Sequence, residues 1–175
     1  AGAALYNYTR QMNDAVDVIA ALVGGGVLDR NPKSHVLFVE CGAGWLLGLA
    51  ERMDEVYEGH APMVQPKLSR KPSEIVRDQV HCSFQNDQGC LLTYPSLSIE
   101  NFLFATDYPH SEGTFPFSRQ LVETMFDHVP NITEEDKAKV LGLNAVKLFG
   151  ITPEMVREDT ERLMARQENK TQASV

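Results

Sequence analysis

Asp107 is the residue whose position most clearly suggests chemistry. It follows the apolar run 102–105 ("FLFA") and a threonine, and it precedes a loop that contains Pro109. A carboxylate at the carboxyl end of a buried strand can bind a metal or accept a proton from water. The alternative is a turn-forming role, because an Asp side chain can hydrogen-bond to nearby backbone in such a loop.

Two more polar residues have positions that suit a site. His110 lies three residues after Asp107, where it can contact a substrate or support the carboxylate, although an exposed loop histidine is the alternative. Glu40 ends the apolar run 35–39 ("HVLFV"). An unpaired charge there would be costly, so Glu40 is either paired or directed into a site. Glu112 is interpreted as a solvated charge.

Trp45 and the glycines before it allow two interpretations each. Trp45, the only tryptophan, can form the wall of a pocket, but packing of a first helical turn explains it equally well. Gly42 and Gly44 could present backbone N–H groups to a phosphate, yet two glycines also suit a tight turn. The sequence contains no H-x-H, H-E-x-x-H or Cys/His cluster. It therefore offers one convincing metal ligand, where a catalytic zinc site uses three.

Composition excludes several classes of protein. The 175 residues carry a net charge of −8 without a basic stripe, so a nucleic-acid partner is not expected. No apolar run approaches the roughly 20 residues that cross a bilayer, so no membrane partner is expected either. The cysteines at 41, 82 and 90 lack C-x-x-C spacing. They predict reduced thiols and a cytoplasmic location.

Short apolar runs alternate with helical patterns and must position these residues. Strands are predicted at 35–39, 80–84 and 102–106. Helices are predicted at 8–23, 45–57, 73–78 (capped by Ser73), 119–128, 133–149 (opened by a Thr133–Asp136 capping box) and 153–166 (capped by Thr152), with 90–97 ambiguous.

This alternation predicts parallel strands joined by right-handed crossovers. Chemistry is then expected at the carboxyl ends of the strands, which are Glu40, the Ser83–Phe84 end and Asp107. The simplest division of the chain is one domain over residues 1–166, followed by a polar tail at 167–175.

Three segments together resemble the carboxyl-terminal half of the amidohydrolase-2 family, which includes metal-dependent hydrolases and aromatic-acid decarboxylases. They are residues 102–118 ("FLFATDYPHSEGTFPFS"), 134–151 ("EEDKAKVLGLNAVKLFGI") and 26–45 ("GVLDRNPKSHVLFVECGAGW"). The likeness runs from about Asp14 to Ile151. The first two motifs are fairly specific in combination, and either alone would be weak.

The resemblance implies an α/β fold, the (β/α)8 TIM barrel. The chain would supply about strands six to eight with their helices and the carboxyl-terminal helices, as an open-edged parallel sheet. The resemblance also implies a divalent metal, usually zinc, with manganese or magnesium as alternatives. Asp107 would bind the metal and handle a proton, with Glu40 as a second catalytic residue. His110 and Trp45 would contact a small-molecule substrate.

The implied reaction is hydrolysis of a C–N or C–O bond, or decarboxylation of an aromatic or related acid. Two departures from the family matter. Many relatives have a histidine where this chain has Glu40, and the family's histidines from strands one and five have no counterpart. A barrel also needs around 250 residues. We therefore expect a fragment of a barrel enzyme. It would be a natural truncation, a part of the protein that was expressed on purpose, or one part of a complex.

Such a fragment would have an incomplete metal site, would not hold the metal alone and would be inactive alone. The alternative is a catalytically inactive interaction piece. It would form homo-oligomers, or complement the missing amino-terminal half, and so cover its open strand edges. A stand-alone flavodoxin-type module is disfavoured, because the sequence predicts too few strands.

Overall fold

Three parallel strands form the sheet in the computed structural model, which describes residues 2–172. Strand β1 is Val36–Phe38, β2 is Val80–Phe84 and β3 is Phe102–Phe104, and the sheet order is β1-β2-β3. Both strand pairings are parallel. The predicted strands and their parallel pairing are confirmed.

Strands β1 and β3 are shorter than predicted, because the backbone turns sharply after each of them. Glu40 and Asp107 both have a positive φ, which ends an extended strand. One more backbone hydrogen bond extends the pairing of β2 and β3 beyond the end of β3. The N–H of Ala105 donates to the carbonyl of Phe84 at 2.9 Å.

Helices occupy most of the remaining chain. The helices are α1 Gly2–Gly24, α2 Val27–Arg30, α3 Leu46–Gly59, α4 Pro72–Gln79, α5 Gln88–Thr93, α6 Ser118–Met125, α7 Glu134–Ala138, α8 Asn144–Phe149 and α9 Pro153–Gln172, with 3-10 turns at Tyr94–Ser96 and Ile99–Asn101 and a π-helical turn at Lys139–Leu143. Helix α9 continues past the predicted end at residue 166. Residues 173–175 of the predicted tail lie outside the described residues.

Several features of the helices differ from the prediction. Helix α1 begins six residues before its predicted start, and a π-helical turn interrupts the helix predicted at 133–149. Helix α2 was not predicted, because four residues are too few to show a helical period. Ser73 does not cap α4, since the cap is Lys71, whose backbone N–H donates to the Glu74 carboxylate. Ser73 instead donates from its backbone N–H and its hydroxyl to Asp54 of α3, at 2.8 and 2.7 Å. The predicted capping box of Thr133 is confirmed.

The hydrophobic core lies between one face of the sheet and the helices. Val80, Cys82 and Phe102 contribute from the strands, and all three are fully buried. The helical contributions include Ile19 and Val23 of α1, Leu46 and Ala50 of α3, and Ile75 and Val76 of α4. Leu103 is also buried but lies outside this cluster. Successive strand residues face opposite sides, so Leu103 belongs to the other face of the sheet.

Buried amide side chains hold the amino edge of the sheet. Gln79, Asn101 and Asn144 are buried, and each donates through its NH₂ group to backbone carbonyls at 2.6–3.3 Å. Gln79 donates to the carbonyls of Leu28, Asn31 and Ser34. Asn101 donates to those of Val76, Arg77 and Val80. Asn144 donates to those of Ile99 and Phe102. Because these carbonyls belong to chain segments that enter the strands, the amides fix where each strand begins.

The chain divides into two compact units, one ending at Asn144 and the other beginning at Ala145. In the second unit, Gly150 has a φ of 62° and separates α8 from α9. Thr152 caps α9 as predicted, since its hydroxyl accepts from the N–H of Met155 at 3.3 Å. Within residues 2–172, no helix combines the length and apolar character needed to cross a membrane.

Candidate functional site

One cleft of about 360 Å³ lies at the carboxyl edge of the sheet. Residues that follow β1, β2 and β3 all line it, among them Glu40, Ser83 and Asp107. The structure therefore brings together the three strand ends that the sequence predicts. The cleft lies where parallel α/β sheets carry their active sites.

The backbone is unusual at two of these strand ends. Glu40 has a φ of 62° and Asp107 a φ of 58°. Among the described residues, Asn131 is the only other non-glycine residue with a positive φ. Such conformations cost of the order of 1–3 kcal/mol for a non-glycine residue, and they concentrate at functional sites.

Glu40 is not paired. Within the described part of the chain, its carboxylate has no hydrogen bond or ion pair, and the side chain is exposed at the edge of the cleft. The structural pairing that was one interpretation of Glu40 is therefore not seen among the described residues, and its role in a site stays a prediction.

The loop after β3 folds back on itself and gathers three possible metal ligands. The N–H of His110 donates to the carbonyl of Asp107 at 2.8 Å, and that of Gly113 donates to the carbonyl of His110 at 3.1 Å. A Cβ at Gly113 would lie 2.8 Å from the Thr106 carbonyl oxygen, so the close return needs a glycine. One ligand atom from each of Asp107, His110 and Glu112 lies within 4.8 Å of the others.

The geometry of these three side chains suits a divalent cation. Nδ1 of His110 is 3.4 Å from Oδ2 of Asp107 and 3.5 Å from Oε1 of Glu112. Only 18% of the Asp107 side chain is exposed, against 55% for His110 and 47% for Glu112. Carboxylate oxygen and imidazole nitrogen are ordinary ligands of zinc, and carboxylates also suit manganese and magnesium. The donor set therefore fits a metal, with Asp107 as its most shielded member.

A local turn does not account for the Asp107 carboxylate. The side chain that accepts a backbone N–H in this turn is Thr106, from Tyr108 at 3.4 Å. Among the described residues, no backbone N–H donates to the carboxylate of Asp107, whose close partner is His110. The grouping with Glu112 was missed from the sequence, and the available signal was Gly113, which permits the close return of the loop.

Asp87 is a second residue that the sequence did not indicate. Its Oδ2 accepts from the N–H groups of Ala43 and Gly44 at 2.8 and 2.7 Å, and its Oδ1 accepts from the N–H of Cys90 at 3.3 Å. A Cβ at Gly44 would lie 2.7 Å from Oδ1 of Asp87. The turn after β1 thus binds the chain's own carboxylate, and these N–H groups are not free for a phosphate.

Trp45 and the thiols lie apart from this chemistry. Trp45 donates from Nε1 to the Cys41 carbonyl at 2.9 Å and packs partly buried against the core. It is not among the described residues that line the cleft, so its role in substrate binding stays a prediction. Burial raises the pKa of the Cys41, Cys82 and Cys90 thiols. A thiol with a raised pKa is mostly protonated near neutral pH and is therefore a poor nucleophile.

Comparison with known proteins gives a family match and several structural neighbours. The family model described as amidohydrolase matches residues 10–151. A 5-carboxyvanillate decarboxylase from Sphingomonas paucimobilis is 25% identical, with a TM-score of 0.62, over 81% of this chain and 40% of that one. An amidohydrolase from Mycobacterium avium subsp. paratuberculosis K-10 is 24% identical, with a TM-score of 0.59, over 76% and 32%.

A third neighbour is a dihydroxybenzoic acid decarboxylase from Polaromonas sp. JS666, solved with manganese and the inhibitor 2-nitroresorcinol. It is 19% identical, with a TM-score of 0.57, over 78% of this chain and 40% of that one. The chain thus spans 32% to 40% of the length of these neighbours. A sequence search of curated proteins found no significant match.

Proposed function

The chain belongs to the amidohydrolase family, and we propose that it forms the sixth to eighth strands of a (β/α)8-barrel enzyme of that family. The observation that carries the proposal is a cleft at the carboxyl edge of three parallel strands that is lined by both Glu40 and Asp107. The reaction proposed is metal-dependent hydrolysis of a C–N or C–O bond, or decarboxylation of an aromatic or related acid. The substrate is a small molecule.

Asp107 is the proposed ligand for the divalent metal. Its carboxylate is the most shielded of the three clustered donors, and His110 and Glu112 lie beside it. Zinc is the first choice, with manganese and magnesium as alternatives, and one structural neighbour was solved with manganese. When bound, the metal would act as a Lewis acid and lower the pKa of water.

Two carboxylates of the chain would then share the proton handling. Asp107 is close enough to the cleft to accept a proton from water at a carboxylate oxygen, and His110 holds that carboxylate in place from 3.4 Å. Glu40 lines the same cleft from the β1 side and is the second proposed catalytic carboxylate. His110 would also contact the substrate, since more than half of its side chain is exposed.

The metal site of this chain is proposed to be incomplete. Two of its three donors are about half exposed, and weakly shielded ligands hold a metal poorly in competition with water. We expect zinc content after dialysis to be far below one ion per chain, with no turnover. Asp107→Asn should remove the residual zinc, whereas Asp17→Asn, at an exposed position of α1, should not. One zinc per chain that is lost on Asp107→Asn would contradict incompleteness.

The genomic reading frame provides an independent test of the same proposal. The family's H-x-H pair would be encoded upstream of Ala1 if the chain is part of a whole enzyme. Finding that pair in frame, with enough intervening sequence for strands one to five, would support the proposal. An in-frame stop codon directly upstream, with no second chain to supply the histidines, would count against it.

A second candidate function is an interaction piece without catalytic activity. Apolar side chains of α1 are exposed, including Leu5, Tyr6, Tyr8 and Met12, and so is Val39 beside β1. Among the described residues, β1 and β3 each have one strand neighbour only. Such surfaces favour association, either as a homo-oligomer or with the amino-terminal half of a barrel. Sedimentation at low concentration tests this candidate, and a well-folded monomer would argue against it.

The proposal includes a cytoplasmic location. The cysteines are free thiols, and Cys82 and Cys90 are buried. Thiols that stay reduced are typical of reducing compartments.

A further inference from the structure

Asp87 lines the cleft, but its carboxylate is bonded to the protein itself. Its Oδ2 accepts from the N–H groups of Ala43 and Gly44 in the turn after β1, at 2.8 and 2.7 Å. Its Oδ1 accepts from the N–H of Cys90 at the start of α5, at 3.3 Å. One carboxylate therefore joins the turns that follow two neighbouring strands, β1 and β2. The proposed chemistry gives Asp87 no role, so its position in the cleft needs another explanation.

Both turns are shaped around this carboxylate. A Cβ at Gly44 would lie 2.7 Å from Oδ1 of Asp87, and a Cβ at Gly89 would lie 3.1 Å from the same oxygen. Gly42 has a φ of 67°, a conformation that glycine adopts without strain. Glycine at these positions lets the backbone close on the carboxylate, so that the N–H groups reach hydrogen-bonding distance.

The turn after β1 carries Glu40, whose backbone is strained. Glu40 has a φ of 62°, and such a conformation persists only where the surrounding structure maintains it. Within the turn, Nε1 of Trp45 donates to the Cys41 carbonyl at 2.9 Å. That bond joins two residues of the same turn, whereas the bonds to Asp87 connect the turn to the segment that follows β2. Asp87 is thus placed to fix the backbone of Glu40 relative to the sheet.

We propose that Asp87 is a positioning residue, which fixes the turn after β1 and so holds Glu40 at the edge of the cleft. It acts through the backbone N–H groups of Ala43 and Gly44 and does not contact the substrate. A carboxylate suits this role, because its hydrogen bonds to backbone N–H groups are about twice as strong as those between neutral groups. The inference rests on the proposed function, in which Glu40 is catalytic, but the rigidity of the turn can be measured without a reaction.

The variant Asp87→Ala tests the inference in the whole isotopically labelled chain. Without the substitution, backbone order parameters of residues 40–44 should be about 0.85, as in rigid backbone, and Asp87→Ala should lower them below about 0.6. Amide hydrogen exchange at Ala43 and Gly44 should become at least about tenfold faster, because each N–H loses a bond to a charged group. Formate should restore both properties in Asp87→Ala and change neither in the unsubstituted chain, because only the variant has room for another carboxylate.

Asp54→Ala is the matched control. Asp54 also accepts two hydrogen bonds, from the N–H and the hydroxyl of Ser73 at 2.8 and 2.7 Å. It lies in α3 and is not among the described residues that line the cleft. Its loss should lower the stability of the whole protein while residues 40–44 stay rigid. If Asp87 only stabilised the fold, Asp87→Ala would give this same pattern.

Gly44→Ala keeps the inference testable if Asp87→Ala does not fold. The added Cβ would lie 2.7 Å from Oδ1 of Asp87 and should displace the carboxylate, so residues 40–44 should again lose rigidity. Gly48→Ala is its control, because a Cβ at Gly48, inside α3, would contact none of the described residues beyond its own stretch of helix. That variant should leave the order parameters of residues 40–44 unchanged.

Three results would overturn the inference. They are order parameters of residues 40–44 that stay high in folded Asp87→Ala or Gly44→Ala, a loss of rigidity in Asp54→Ala as large as that in Asp87→Ala, and a failure of formate to restore the turn. None of these results concerns the metal, so the assignment of Asp107 would stand. Conversely, if Glu40→Gln left the activity of a whole enzyme unchanged, the catalytic role of Glu40 would fail while the contact between Asp87 and the turn remained.

Discussion

At the amino edge of the sheet, buried amide side chains are bonded to the backbone, whereas at the carboxyl edge Glu40, Ser83 and Asp107 line a cleft. Gln79 and Asn101 donate to carbonyls of the segments that enter the strands. Glu40, Ser83 and Asp107 make no such bonds among the described residues. Parallel α/β sheets carry their chemistry at the carboxyl edge, whereas the amino edge contributes to stability. Substitutions at the two edges should therefore have opposite consequences.

The largest effect on stability is expected at the amino edge, from Asn101→Ala. The Asn101 amide donates to three carbonyls at 2.6–3.3 Å, and its removal leaves buried acceptors unsatisfied. The free energy of unfolding should fall by about 3 kcal/mol, measured by urea denaturation. Asn31→Ala is the control, because exposed Asn31 makes one side-chain bond, to Val27, and should cost under about 1 kcal/mol. Equal losses would remove the contrast between the edges.

The next largest effect is a pH dependence of stability that compares the two faces of β2. Cys82 faces the core, and its neighbour Ser83 faces the cleft. Burial raises the pKa of the Cys82 and Cys90 thiols in the folded protein, above about 8.5 for an unfolded thiol. Their stabilising contribution is complete below pH 8.5 and is lost as the pH rises, because only the unfolded state releases the proton. At pH 9.5 the loss is roughly 1.4 kcal/mol per thiol.

Urea unfolding at pH 7.5 and pH 9.5 measures this dependence. The double variant Cys82→Ala, Cys90→Ala should lose most of the difference between the two pH values. Ser83→Ala, on the cleft face, should keep it. A pH dependence that survives in the double variant would show that other groups cause it.

The smallest effect is expected at Glu40, and its sign is the opposite of that at Asn101. Glu40 has a φ of 62°, a conformation that glycine adopts without strain. Glu40→Gly should leave the free energy of unfolding unchanged or raise it by up to about 1 kcal/mol. The same change at Glu51, inside α3, should lower it by about 1 kcal/mol. A clear loss of stability in Glu40→Gly would assign Glu40 to the structure and not to the site.

Features that depend on local sequence could be predicted. The run "VHCSF" predicts β2 with its observed bounds, Val80–Phe84, because its apolar residues alternate with His81 and Ser83 at the two-residue period of a strand. Glu40 and Asp107 could also be identified as candidates, because each follows the carboxyl end of a strand, where parallel sheets carry their chemistry. The capping box at Thr133 is also local, since both partners lie within three residues.

Features that depend on distant contacts could not be predicted. Asp87 bonds to Ala43 and Gly44, more than forty residues earlier, and nothing near Asp87 in the sequence indicates them. Ser73 has the composition of a cap, but its partner Asp54 is nineteen residues away. The grouping of Asp107, His110 and Glu112 as candidate metal ligands depends on the path of the loop through Gly113, which the spacing of the residues alone does not give.

The most direct test of the central claim is to map where Mn²⁺ binds on the labelled chain. Paramagnetic broadening of backbone amides reports the position of an ion even when binding is weak. The account predicts that broadening concentrates on residues 105–113, that Asp107→Asn abolishes it there, and that Asp17→Asn does not. Broadening spread over the acidic surface, or unchanged in Asp107→Asn, would contradict the assignment of Asp107 as the carboxylate that holds the metal.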